Sequence, residues 1–276
     1  MTDASNLTRD LLDALAWQIE LGADEAIAET PADRFAESAA PAAPRVPDAA
    51  ARVAPDARPG PEAKPRGDEE EATPAALARA AETLEELAEA MRGFEGSPLK
   101  RGARSFVFAD GVPGARVMVI GEAPGGDEDR VGRPFVGRAG QLRDRMLAAI
   151  GLSRDAPAPE EAAYIANILP WRPPGNRTPS PEEVALFLPF IERHIELAKP
   201  DFILSVGNTP TKALLDTTTG IKRLRGRWVR HAATGLPLLP SFHPAYLLRS
   251  PADKRLAWRD LLALRAALEG AAVVLD

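Results

Sequence analysis

The chain has 276 residues, 45% of them hydrophobic, with 34 Lys+Arg against 40 Asp+Glu and a formal net charge of −6. That length holds one large domain or two small ones with a real core, and no run is long and apolar enough to span a bilayer. Without a single cysteine, disulfides and thiolate-held clusters are excluded.

Charge is divided unevenly. Residues 1–92 hold 9 of the basic and 20 of the acidic side chains, a net of −11, which leaves 25 and 20, a net of +5, for residues 93–276. A mildly basic C-terminal part is compatible with a nucleic-acid partner. The first ten residues lack the basic-then-apolar order of a signal peptide, so the chain reads as a protein of the bacterial cytoplasm.

In chain order, residues 11–28 alternate at helical period, with Leu11, Leu12, Leu15, Ile19 and Leu21 as the apolar set. Such a helix needs a partner: its own domain, another copy, or another protein. Residues 29–73 are rich in Ala, Pro and acids and read as a disordered linker. Helical spacing returns over 74–92, with Thr73 as N-cap, and the folded domain is expected over 74–276. Residues 94–109 read as a lead-in loop. Strands are expected at 117–120, 164–169, 201–206 and 237–242, alternating with helices at 141–150, 182–197, 210–215 and 254–268. Residues 222–230, KRLRGRWVR, carry five positive charges and read as a basic β-ribbon. Alternating strands and helices imply an α/β fold whose parallel sheet is covered on both faces.

The chemistry gathers in three stretches. Residues 121–140, GEAPGGDEDRVGRPFVGRAG, follow the first strand, and glycines 121, 125, 126, 132 and 137 let backbone N–H groups approach a ligand. Neither GxxxxGK[ST] nor GxGxxG is present, which argues against a phosphate-loop NTPase. Residues 167–177, NILPWRPPGNR, and 243–249, HPAYLLR, each begin at or just beyond the end of another strand. Strand ends on one edge of a parallel sheet converge, so Glu122, Asn167 and His243 can share one pocket.

Together these three ordered stretches closely resemble the motifs of the family 4 uracil-DNA glycosylases, over roughly residues 94–268. The resemblance implies an α/β/α sandwich around a four-stranded, mainly parallel sheet. It also implies a monofunctional enzyme of base excision repair whose partner is uracil-containing DNA. It leaves the N-terminal third unexplained, where another repair protein is one of the partners open to the helix, and the protein is expected to be a monomer. The enzyme flips uracil out of DNA, hydrolyses the N-glycosidic bond and leaves an abasic site. Gly121, Ala123 and Gly125 would line the base pocket. Phe135 matches the aromatic on which the base stacks, core packing being its bland alternative. Asn167 matches the reader of uracil O4 and N3–H, and cytosine, with the reverse donor pattern, would leave both amide groups unpaired. His243 matches the donor to uracil O2, where negative charge gathers; His194 and His231 suit structural roles. Glu122 is assigned to the attacking water, since Ala123 stands where the best-known uracil glycosylases carry aspartate. Glu128 would exclude the thymine methyl, with a solvated carboxylate equally open.

Tyr246, Leu247, Leu248 and Arg249 match a loop that wedges into DNA, although the two leucines serve equally as the first turn of a buried helix. Arg138, Arg177, Lys222, Arg223 and Arg225 are expected phosphate contacts.

One departure stands out. The family holds a four-iron, four-sulfur cluster, and its four cysteine positions fall here on Phe94, Ser97, Trp171 and Phe187. The expectation is an enzyme without cofactor, in which the aromatic side chains fill the cluster's volume. Residues 171–178 also lack the basic insertion and histidine of a relative that links covalently to DNA, so turnover by water is expected. Two alternatives remain: a damage-binding module without turnover, and a glycosylase shifted towards hypoxanthine or xanthine.

Overall fold

A computed structural model describes residues 73–276, so the helix expected over 11–28 and nearly all of the linker over 29–73 lie outside the described residues. Thr73 is an N-cap: its hydroxyl accepts from the Ala76 N–H at 3.2 Å, and Pro74 follows at a position that needs no donor. The single helix expected over 74–92 is two, α1 (Pro74–Ala80) and α2 (Leu84–Gly93). Ala81 turns extended, and Thr83 restarts the helix by accepting the Glu86 N–H at 3.1 Å. Arg193 takes the Ala81 carbonyl that the break exposes, with Nε and Nη2 donating at 3.0 and 2.8 Å. Each half keeps its own apolar stripe, so spacing alone conceals the break. The expected lead-in loop holds a helical turn, α3 (Leu99–Gly102), before β1 (Ala109–Gly111).

Among the described residues the sheet has six strands rather than four. The inner four run parallel in the order β3 (Ala163–Asn167), β2 (Val117–Gly121), β4 (Phe202–Val206) and β6 (Pro237–Ser241). β1 lies antiparallel against β3, and the two-residue β5 (Val229–Arg230) antiparallel against β6. Edge strands this short carry too little alternation to be read from sequence. Every residue of β2, β3 and β4 is buried, as strands covered on both faces require.

The helices that cover the sheet are α4 (Gly126–Val131), α5 (Arg138–Ala148), α6 (Pro181–Ala198), α7 (Asn208–Leu214), α8 (Ile221–Leu224), α9 (Pro244–Arg249) and α10 (Lys254–Leu268). Successive strand residues point to opposite faces. Met118, Ile120, Tyr164 and Ile203 meet Phe187, Phe190, Ile191 and Ile195 of α6 in one core. Val117, Val119, Ile165 and Leu204 meet Leu147 of α5 and Leu261 and Leu264 of α10 in the other. No helix among the described residues is long and apolar enough to cross a membrane.

The expected basic ribbon is corrected except at its end, where Val229–Arg230 is the strand β5. Residues 221–224 form the turn α8, because Asn208 Oδ1 accepts the Ile221 N–H at 3.2 Å and Arg225 is drawn inward to Asp260. His194 is buried, lies stacked 4.3 Å from Phe108 and hydrogen-bonds the Tyr164 hydroxyl at 2.9 Å. Burial pushes its pKa down to about 3, so it is a neutral part of the core.

Candidate active site at the carboxyl ends of the parallel strands

β2 connects first to its neighbour β3; the chain then crosses to β4 on the other side of β2. The carboxyl end of β2 is therefore the point where the strand order reverses, the place where open α/β sheets bind ligands. A cavity of about 600 Å³ opens there, lined by Glu122, Phe135, Asn167, Asn208, His243 and Arg249 among others. Each inner strand contributes the residue at or just past its end. The β2–β3 register sets Gly121 directly across from Asn167, and Ile168 N–H donates to the Gly121 carbonyl at 2.9 Å.

Gly121 has no side chain for a steric reason. A Cβ there would run into both Asn167 Oδ1 and Phe135 Cζ, so only glycine lets the amide and the ring close over the strand end. Asn167 is 5% exposed, and its Oδ1 is buried without a hydrogen-bond partner. A buried acceptor left unmade is costly, and the residue that carries it lines the cavity.

Phe135 lines the same cavity while buried, with φ +54°, a conformation that a bulky residue rarely adopts. Its backbone is fixed from several sides. Arg154 donates to the Phe135 carbonyl at 2.6 Å and to that of Pro134 at 3.1 Å. Glu128 Oε1 accepts the N–H groups of Val136 and Gly137 at 2.9 Å each, and its Oε2 that of Gly125 at 3.0 Å. Glu128 thus lines the cavity but spends its oxygens tying the starts of α4 and α5 together, neither a solvated carboxylate nor an unengaged one.

His243 caps α9: its Nδ1 accepts the Ala245 N–H at 3.1 Å. Burial pushes its pKa down to about 4, with Arg249 adding to the shift and Glu128 opposing it. The ring is neutral at pH 7, and with Nδ1 accepting, its proton sits on Nε2. Its ring centroid stands 5.7 Å from that of Phe135. Behind it Gly207, with φ +109°, leaves room for the histidine Cβ. Glu122 is half-buried at the cavity wall and makes no side-chain hydrogen bond to any described residue. Ala123 and Gly125 line the cavity beside it.

Other expected site residues divide. Arg138 and Arg223 are exposed, and Lys222 and Arg249 stand exposed at the cavity lining, none with an ion-pair partner among the described residues. Arg177 reaches the cavity but is engaged by Glu183 through two bonds of 2.6 and 2.8 Å. Arg225 is a correction: it is paired with buried Asp260, donates to the Leu256 carbonyl and lies over Phe242, so it is not available to a phosphate. Leu247 is a second correction, since it is fully buried in a small core with Leu142, Phe242 and Ala257. Leu248 is half-buried, and Tyr246 lines the cavity with its hydroxyl donated to Asp253 at 2.5 Å. The sequence reading missed Asn208, whose signal was the Gly207-Asn208 pair closing β4, and the buried arginines 143 and 154 behind Phe135.

The residues at the four cysteine positions of the resembling family do not fit a metal cluster. Phe187 is fully buried and lies edge-on to Phe94 with ring centroids 6.1 Å apart; Trp171 packs on Phe106 at 5.0 Å. Ser97 Oγ and Trp171 Nε1 are buried without partners, and no group of metal-binding side chains occurs among the described residues.

The family model for the uracil DNA glycosylase superfamily matches residues 108–262. The chain is 36% identical over 174 residues to the type-4 uracil-DNA glycosylase of Thermotoga maritima, covering 63% of this chain and 87% of that protein. It is 35% identical over 184 residues to that of Pyrobaculum aerophilum, covering 64% and 91%, and 31% identical over 192 residues to that of Sulfurisphaera tokodaii, covering 67% and 84%. The matched segment holds all four inner strands and the residues at their ends, Glu122, Asn167, Asn208 and His243, and the chain belongs to the uracil DNA glycosylase superfamily.

Proposed function

We propose that this protein is a monofunctional uracil-DNA glycosylase that releases free uracil from DNA and leaves an abasic site. The observation that carries the reading is the buried, partnerless Asn167 Oδ1 at the cavity wall, beside a buried aromatic ring and a neutral imidazole. A flipped uracil stacks on Phe135, gives its N3–H to Asn167 Oδ1 and accepts from the Asn167 amide at O4. His243 donates from Nε2 to O2 as the bond from C1′ to N1 breaks and its electron pair passes to the base. A water oriented by Glu122 adds its oxygen to C1′ and gives up one proton, and the released uracil anion takes a proton from solvent. Arg138, Lys222, Arg223 and Arg249 contact phosphates, and the exposed edge of residues 246–249 enters the gap that the base leaves. Packing among Phe94, Phe106, Trp171, Phe187 and Phe190 does the work of a metal cluster in holding the loops around the cavity.

The test is a labelled oligonucleotide containing one deoxyuridine, incubated with the purified protein and then treated with alkali. Alkali-dependent cleavage, free uracil and no stoichiometric iron are expected. Tight binding to the uracil strand without cleavage would leave only a damage-binding module. Gly121→Ala should lower the rate about a hundredfold, because the new methyl moves the amide and the ring that hold the base, while the thermal midpoint changes by only a few degrees. Single-turnover kinetics beside thermal melting checks this; unchanged kinetics would mean that the tight strand end is not needed.

A further inference from the structure

Phe135 rests on a buried charge that the mechanism above does not use. Arg143, on α5, is 2% exposed and does not line the cavity. Its guanidinium carbon lies 4.8 Å from the centroid of the Phe135 ring, reached from the protein interior. Nη2 pairs with Asp144, but Nε and Nη1 are buried with no hydrogen-bond partner. A buried cation with two unmet donors is expensive unless something nearby is negative. The face of an aromatic ring is such a group, and it offsets part of the cost. Asp144 is 41% exposed, so solvent screens its charge more than that of the arginine.

We propose that Arg143 is a positioning residue that acts through Phe135, holding the ring by its face and turning it into a platform for a departing anion. The inference rests on the uracil-glycosylase reading. When the bond between C1′ and N1 breaks, its electron pair stays on N1 and the stacked pyrimidine becomes negative. An ordinary aromatic face carries negative potential and repels such a base. A cation behind the ring draws that density away and attracts the anion through the ring, an interaction stronger in the transition state than with the neutral bound base. A buried unit charge about one ring and one stacking distance from the base is sufficient for roughly tenfold to thirtyfold in rate.

Single-turnover base release would be measured for the wild type, Arg143→Lys and Arg143→Met, on DNA containing one deoxyuridine or one 5-fluorodeoxyuridine. Fluorine stabilises the leaving anion by itself, so that substrate depends less on help from the enzyme. Arg143→Met should lose about tenfold or more with uracil and several-fold less with 5-fluorouracil, while Arg143→Lys retains most of the wild-type rate. The ratio of the two substrates within one preparation does not depend on how much of it folds. Equal losses on both substrates, or a lysine variant as impaired as the methionine one, would overturn the proposal. A wild type that releases neither base overturns the glycosylase reading instead.

Discussion

Asn167→Ala is expected to reduce single-turnover release of uracil by about 30- to 1000-fold, equivalent to about 2–4 kcal/mol for two lost contacts to the base. The side chain is small, sits at the end of β3 and touches no other element through a hydrogen bond, so folding should be affected little. The more telling substitution is Asn167→Asp. A carboxylate offers acceptors where the amide presented a donor to O4, and cytosine carries an amino group at that position. Buried at 5% exposure, the carboxyl would have its pKa raised, and once protonated it can also donate to cytosine N3. Arithmetic of affinities then predicts that uracil release falls and cytosine release becomes detectable, most strongly at lower pH. Parallel assays on uracil- and cytosine-containing strands check both directions. Uracil release that survives Asn167→Ala within threefold would remove this residue from base recognition.

His243→Asn is expected to cost about 10²- to 10³-fold in the rate of bond cleavage, the range seen when a single donor to a developing oxyanion is removed. Substrate affinity should change much less, because the bond strengthens only as charge accumulates on the base. The histidine also predicts a pH effect on stability. Its pKa lies at about 4 in the folded chain against 6.5 for the ordinary side chain, so between those values the unfolded chain binds the extra proton. The neutral ring's contribution is complete above pH 6.5 and is lost as pH falls towards 4. The physical event is loss of the Nδ1 acceptor that caps α9 through the Ala245 N–H. Thermal midpoints measured from pH 8 to pH 4 should therefore fall more steeply in the wild type than in His243→Asn. His194 contributes a similar acid-side loss in both proteins, since its pKa is lowered to about 3 by burial. Identical profiles would show that His243 is not held neutral by the fold.

The alternation of the four inner strands with amphipathic helices was legible because each strand is a short apolar run and each helix carries a stripe of its own. The break between α1 and α2 was not, since a stripe continues across it and only Thr83 and the distant Arg193 decide that the chain turns. β1 and β5 escaped because two or three residues at a sheet edge acquire their conformation from the neighbour that they pair with. For the site, the place of three stretches after strands and their resemblance to known motifs singled out Glu122, Phe135, Asn167 and His243, and these four line one cavity. Which of the accompanying residues face the cavity was decided by packing. Leu247 and Leu248 are adjacent and chemically alike, yet one is sealed against Phe242 and the other is half-buried. Arg225 and Arg223 belong to one basic run, but Asp260, 35 positions away from Arg225, claims one and leaves the other in solvent. Arg143, one more charged residue in an amphipathic helix by its spacing, became a buried cation only when α5 packed under Phe135. The sequence by itself determined the order of the main elements and which residue types stand at the strand ends, both set by local pattern. Tertiary structure alone decided which charges stay free, because pairing and burial depend on neighbours distant in the chain.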